Sequence, residues 1–362
     1  MTLSPLPLLP SFHAFRRAAR MACLCFAALS GMLAGTGTHA QAATPAPVEL
    51  RIGYQKSSTL ITVLKARGSL ERALAPLGVR VSWNEFASGL PLTEALNADA
   101  VDFSADVADT VPIFAQAARA NFVYVAQEAP SPNAQAILVK RDGPLHTLAD
   151  LKGRRIAVTK AAGSHYLLLA ALARAGLAPS DVQIDYLVPA DGRAAFERGS
   201  VDAWVTWDPY VASVDEEPDV RVLASGNGLA SYQRYYLASS GFAAAHPEIV
   251  RIVFDQLVAA GNWVRAHPHD AAQLLAPIWG LDVATVERAN ARRSYEVRAV
   301  DARYFGEQQT IADTFYKAGL LPAPVNTALA LRWNFATQRV QPVGTATGHD
   351  AHAASAAAGA PA

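Results

Sequence analysis

Leu92-Thr-Glu-Ala-Leu-Asn-Ala-Asp-Ala-Val-Asp-Phe-Ser104 and Ala194-Ala-Phe-Glu-Arg-Gly-Ser-Val-Asp-Ala-Trp-Val-Thr206 read as weak copies of one unit. Each spacing predicts a short amphipathic helix, a turn, Val-Asp, and then a short strand. Each strand runs into a polar loop, with Asp106 and Asp109 after the first and Trp207, Asp208 and Tyr210 after the second. In open α/β sheets, ligands gather beyond the carboxyl ends of the strands. Two such units predict two lobes that present strand ends to a shared cleft, the plan of a binding protein rather than of a one-core enzyme.

The rest of the 362 residues fits that plan. Arg16, Arg17 and Arg20 precede an apolar run from Met21 to Leu33, and small residues around Ala40 and Ala42 offer a cleavage site. Residues 1–42 therefore read as a signal peptide, its apolar stretch short for a membrane span. Both cysteines, Cys23 and Cys25, lie inside it. The mature chain is then expected to hold no disulfide, thiol nucleophile or zinc–thiolate site. The formal charge is 31 basic against 31 acidic residues; without the three leader arginines it is 28 against 31, or −3. That balance offers no basic stripe for nucleic acid.

Alternating strand and helix signals predict an α/β fold with sheets flanked by helices. Strands are expected at Val48–Tyr54, Arg80–Phe86, Phe122–Gln127, Ala136–Val139, Arg155–Thr159, Gln183–Val188, Arg221–Ser225 and Tyr235–Ala238. Helices are expected from Ser57–Thr59 to about Leu74, at Pro91–Asn97, Thr110–Ala118 and Ser164–Ala175, and then at Pro247–His267, Asp270–Trp279, Asp282–Ala291 and about Val300–Ala318. Thr147 and Asp150 have the spacing of a capping box. The stiff Ala129-Pro-Ser-Pro-Asn133 and the return strand near Tyr235 mark two crossovers. They place one lobe at 46–131 plus 234–335 and the other at 134–232. The Ala-, Gly-, Thr- and His-rich residues 336–362 read as a disordered tail.

Seven segments resemble a known family: Arg51-Ile-Gly-Tyr-Gln-Lys56, Pro112-Ile-Phe-Ala-Gln-Ala-Ala118, Asp150-Leu-Lys-Gly153, Ser164-His-Tyr-Leu-Leu-Leu169, Pro189-Ala-Asp191, Val201-Asp-Ala-Trp204 and Trp207-Asp-Pro-Tyr210. They are similar, in order along nearly the whole mature chain, to the substrate-binding proteins of bacterial aliphatic sulfonate ABC importers. The resemblance implies a two-lobed type II periplasmic binding fold that clamps a small organosulfur anion between its lobes. It further implies periplasmic localisation and delivery of the ligand to a permease driven by an ATPase. The chain departs from the family pattern at Gly89-Leu-Pro-Leu92, where relatives often have Gly-Pro-Gln. It departs again at Ser104-Ala-Asp-Val-Ala-Asp109, where relatives often have Ser-Thr-Gly-Asp. Asp106 is thereby gained, and a carboxylate beside an anion is unfavourable.

A sulfonate has three acceptor oxygens and no proton to give, so it needs donors rather than a lysine. Helix N-termini supply N–H groups and a favourable dipole. Three loop-to-helix starts are candidates: Gln55 to Thr59, including Ser58; Ser88 to Leu90, including Gly89; and Gly163 to Ser164. Ser58 and Ser164 read equally well as N-caps of their own helices. Trp207 is either an aromatic wall for the ligand's tail or lobe core. Asp208 is an orienter or a cap, Tyr210 accompanies them, and Asp109 reads first as a helix cap. Asp106 either receives a ligand ammonium or faces solvent, and replacing it with Ser is expected to improve binding of simple alkanesulfonates. His165 reads as a cleft-edge histidine without a triad partner.

No His-Glu-x-x-His, phosphate-loop or Gly-x-Ser-x-Gly pattern occurs. The reading is a monomeric binding protein without cofactor or metal. Taurine, a sulfate ester or nitrate remain alternative ligands, and a pyrimidine-precursor enzyme on the same fold is the alternative of another class.

Overall fold

The structure is a computed structural model, described here over residues 48–343. The expected leader, with both cysteines, lies outside these residues. Thirteen strands are described. The first four are β1 (Glu49–Gln55), β2 (Arg80–Phe86), β3 (Phe103–Ala108) and β4 (Phe122–Glu128). Then come β5 (Gln135–Lys140), β6 (Arg155–Val158), β7 (Gln183–Tyr186), β8 (Ala203–Trp207) and β9 (Val220–Ser225). The last are β10 (Arg234–Ser239), β11 (Val297–Ala299), β12 (Leu331–Asn334) and β13 (Arg339–Pro342). Helices α1 (Thr59–Arg67), α2 (Ser69–Leu74), α3 (Gly89–Asn97) and α4 (Val111–Ala117) join the early strands, and α5 (Gly163–Arg174) and α6 (Pro189–Glu197) the middle ones. The chain then runs through α7 (Ser240–Ala245), α8 (Pro247–Ala266), α9 (Pro268–Trp279), α10 (Val283–Ala291) and α11 (Phe305–Lys317).

The strands form two mixed sheets. The first has the order β13-β12-β4-β10-β3-β1-β2, with β11 also paired to β4; the second has the order β7-β6-β8-β5-β9. The sheets share a plan. In each, a parallel trio (β2-β1-β3 and β7-β6-β8) is followed by one antiparallel strand that arrives from the other sheet. That strand is β10 in the first sheet and β5 in the second. The connections at 129–134 and 226–233 are the two crossovers.

The two sequence copies superimpose bond for bond at an offset of one hundred residues. Asp99 and Gly199 both take a left-handed conformation, φ 53° and 70°. Ala100 N–H donates to Ala95 O and Ser200 N–H to Ala195 O, both at 2.9 Å. The Asp102 carboxylate accepts from the backbone N–H of Arg51 on β1, and the Asp202 carboxylate from that of Arg155 on β6, each at 2.8 Å. In both copies the Val-Asp dipeptide buries the valine and uses the aspartate to fix the start of the neighbouring strand.

Helices cover the first sheet, where α1, α8 and α9 bury Leu60, Leu64, Leu257 and Leu275 against Leu50, Ile52 and Val125. The second sheet's core joins Ile137, Ile156 and Val205 to Leu168 of α5 and to Ile311 and Phe315 of α11. Helix α11 comes late in the chain, within the span expected to build the first lobe, yet it packs on the second sheet's core.

Four local expectations differ from the structure. The helix expected to reach Leu74 breaks at Gly68, whose left-handed φ of 59° ends α1 and starts α2. Helix α3 starts at Gly89, two residues early. The helix expected from Val300 begins only at Phe305, because 297–299 pair with β4 and Asp301 caps a short 3₁₀ turn by accepting from Arg303 N–H. Residues 336–343 are not tail: β13 forms a hairpin with β12, closed by Asn334 Oδ1 accepting from Ala336 and Thr337 N–H. The remaining tail residues lie outside the described ones.

Candidate ligand-binding site

The trios of both sheets end at one cavity of about 320 Å³, counted to its open mouth. The first sheet contributes Gln55 at the end of β1, Ala108 at the end of β3, and Arg234 at the start of β10. It also contributes Ser88, Gly89 and Leu90 at the start of α3 and Val111 at the start of α4. The second sheet contributes Lys160, Ala162 and Gly163 at the start of α5, with Trp207 at the end of β8. Tyr232 comes from the return crossover.

Two helix starts from different sheets thus border the same space. The first N–H groups of a helix have no carbonyl within it to bond. Ser88, extended at φ −158° and ψ 173°, leads into Gly89 and Leu90; Pro91 follows and has no N–H to offer. Ala162 leads into Gly163 and Ser164, while its carbonyl already accepts from His165 N–H at 2.9 Å. The approach is close enough to require glycine. A Cβ on Gly163 would stand 2.5 Å from the Tyr232 ring and 3.1 Å from the Ala108 Cβ, and one on Gly89 would stand 2.7 Å from Val111. The Thr110 hydroxyl donates to Ala161 O at 2.6 Å and ties the sheets together beside the cavity.

No carboxylate is among the lining residues. Arg234 is 2% exposed, and its charge is already engaged, with Nε 2.6 Å from Asp106 Oδ2. Its Nη1 donates to Tyr232 Oη at 2.9 Å and its Nη2 to Asp106 O at 3.1 Å. Asp106 also meets Arg293 at 3.1 Å, and Arg293 meets Glu128 at 2.7 Å. Two buried arginines and two buried carboxylates cancel. Burial pushes the Asp106 carboxyl up against the pull of Arg234 and Arg293. Burial also raises Glu128, but Arg293 and Arg234 outweigh it and hold that carboxyl below its usual range. Lys160 is exposed at the rim.

Six residues expected at the site line the cavity: Gln55, Ser88, Gly89, Leu90, Gly163 and Trp207. Trp207 is buried, with Tyr210 edge-on at 5.8 Å behind it. Seven do not line it. Ser58 Oγ accepts from Gln55 N–H at 3.2 Å, which shapes the loop rather than the cavity. Asp106 does not face solvent: it is fully buried, and Arg234 and Arg293 enclose it. Asp109 does not cap α4: its carboxylate accepts from Gln233 N–H at 3.0 Å, and burial first, then Glu307, lifts its pKa to about 7. Ser164 is buried in the first turn of α5. His165 is no cleft-edge group, since it is fully buried between the Tyr186 and Phe315 rings with Nδ1 accepting from Ala161 N–H at 3.3 Å. Burial, then Lys160, lowers its pKa to about 4, so the ring is neutral. Asp208 accepts from Ala212 N–H at 3.0 Å and pairs with Arg292, and burial lifts its pKa to about 7 against that pull. Tyr210 stands behind Trp207.

Sequence reasoning missed Ala108, Val111, Lys160, Ala162, Tyr232 and Arg234. Arg234 had a usable signal, a charged residue opening a strand with an apolar interior. Lys160 had another, as the one charge in the loop before α5.

Residues 76–271 match the family model described as NMT1/THI5 like. An aliphatic sulfonates-binding protein of Escherichia coli (strain K12) is 39% identical over 300 residues, which span 83% of this chain and 93% of that protein. The chain belongs to the family of bacterial aliphatic sulfonate-binding proteins. A solved structure, that of the alkanesulfonate-binding protein SsuA from Xanthomonas axonopodis pv. citri bound to MOPS, is 38% identical in sequence. It superimposes with a TM-score of 0.73 over 77% of this chain and 96% of its own. The taurine-binding periplasmic protein of E. coli is more distant, at 28% identity over 61% of this chain and 68% of its own. The two-sheet α/β architecture is that of the sulfonate-binding proteins. Among the described residues, no helix is long and apolar enough to cross a membrane.

Proposed function

We propose that the protein is a periplasmic receptor that captures an aliphatic sulfonate between its two sheets and hands it to an ABC permease. One observation carries the reading. Helix starts at Gly89–Leu90 and Ala162–Gly163 converge from opposite sheets on a small cavity walled by Trp207 and free of lining carboxylates. Backbone donors at two helix N-termini suit a strong-acid anion, and the tryptophan face suits a short apolar tail.

Taurine fits less well. Its ammonium would call for a carboxylate, yet no acid lines the cavity and Asp106 is enclosed by Arg234 and Arg293. The reading is of binding without turnover. The lining residues hold no nucleophile with a base beside it, and Ser164 and His165 are packed away from the cavity. The two sheets act as lobes joined by the crossovers at 129–134 and 226–233, and closure dries the site, which strengthens each polar contact. Calorimetry of the mature protein with ethanesulfonate tests the reading. One site per chain is expected, with the ligand recovered unchanged by mass spectrometry. No heat of binding for any short sulfonate, or a product in the absence of other proteins, would overturn it.

A further inference from the structure

Arg288 and Arg292 sit four apart at the end of α10, one turn of helix and therefore one face. Helix α10 belongs to the first sheet's side, where Val286 packs with Ala272 and Leu275 of α9. Both arginines reach into 208–216, a segment whose Val211 and Val214 pack with Leu138 and Trp204 of the second sheet. Arg292 pairs with Asp208 at 3.0 Å and also with Asp215. Arg288 meets Glu216 at 3.0 Å and donates to Ala212 O at 3.1 Å. Asp208 directly follows Trp207, the cavity wall.

We infer that Arg288 and Arg292 are positioning residues for ligand retention, a strut from the first sheet that holds the Trp207 wall in the closed arrangement. The inference rests on the proposed binding site. A contact made across the two sheets favours whichever arrangement brings them together, and only such a difference can shift an open–closed balance. The contacts are partly shielded: Asp208 and Asp215 are 4% and 10% exposed and the arginines about a quarter. They are therefore screened less than surface pairs. Neither arginine lines the cavity. Loss of the strut should act on release of ligand more than on its capture.

Stopped-flow tryptophan fluorescence with ethanesulfonate tests this. Arg292→Met is expected to raise the dissociation rate about tenfold or more while the association rate stays within about threefold, the usual division of such effects. Arg288→Glu should also speed release, and adding Glu216→Arg should restore much of the parental rate. The exposed Arg288–Glu216 pair keeps the test decisive if Arg292→Met does not fold, since a packing role would not be rescued by reversing both charges. Folded variants that release ethanesulfonate at the parental rate overturn the inference alone. A parental protein that does not bind ethanesulfonate overturns the proposed site, and the inference with it.

Discussion

Asp106 shows what a single residue can conceal. In the sequence it is an extra acid in a loop where relatives lack one, and the expectation followed that serine there would improve sulfonate binding. In the structure it is the counterion of Arg234 and Arg293, fully buried. Removing one partner of a buried ion cluster strands the others, at a cost of about 3–5 kcal/mol. Asp106→Ser should therefore lose that order of stability in urea unfolding, and a loss below about 1 kcal/mol would refute the pairing. Asp109 offers a pH signature. Its carboxyl is raised to about 7 from an ordinary value of 3.8. The folded state then binds a proton that the unfolded state has released, so its contribution is full below about pH 4 and is lost as pH rises to 7. Asp109→Asn keeps an acceptor for Gln233 N–H without the charge. Unfolding free energies of variant and parent should diverge in the variant's favour between pH 5 and pH 8, by roughly 1–3 kcal/mol. His165 carries the opposite sign: lowered to about 4, it withdraws stability as pH falls below 6.5, but it does so equally in both proteins. Parallel pH profiles would contradict the account. Neither buried network was legible in sequence, because Asp106 finds Arg293 across 187 residues and Asp109 finds Gln233 across 124.

Single elements were more legible, for a physical reason. Strand and helix signals are local, and Arg80–Phe86 falls where alternation places it. The misses lie where a short piece owes its form to a partner strand: β11 to β4, β12 to β13 and β4, and β13 to β12. Only three or four residues long, these strands carry too few side chains to show a period. The duplicated helix–turn–strand element makes a paired prediction. Asp102 bonds Arg51 through backbone and side chain and is nearly buried, while Asp202, at the surface, accepts from the Arg155 backbone N–H and meets the Arg154 side chain only at 4.0 Å. Asp102→Ala should cost about 1.5–3 kcal/mol and Asp202→Ala about 1 kcal/mol or less, because charged hydrogen bonds weaken with solvent access. Thermal unfolding of the two variants checks the order, and the reverse order would contradict the burial argument. At the cavity, Gly163→Ala sets a methyl against the Tyr232 ring. Affinity for ethanesulfonate should fall about tenfold or more by calorimetry, and an unchanged affinity would mean that the α5 start does not border the ligand.

At the scale of the molecule, the repeat was the most informative signal, because one folding unit written twice implies two sheets with equivalent ends. Of the loop residues it named, Trp207 lines the cavity; the helix-start argument added Gln55, Ser88, Gly89, Leu90 and Gly163, and neither reached Tyr232 or Arg234, which arrive by the return crossover and have no counterpart in the repeat. The late packing of α11 on the second sheet was hidden for the same reason, since no local pattern says which sheet a helix will cover. The central claim is that the ends of both sheets hold one sulfonate between them. A crystal structure of the mature protein with ethanesulfonate tests it most directly. The account predicts sulfonate oxygens within about 3.2 Å of backbone N–H groups at both the Gly89–Leu90 and the Gly163–Ser164 starts, with the ethyl group against Trp207. A sulfonate bound elsewhere, or held by one sheet alone with Trp207 turned away, would contradict it.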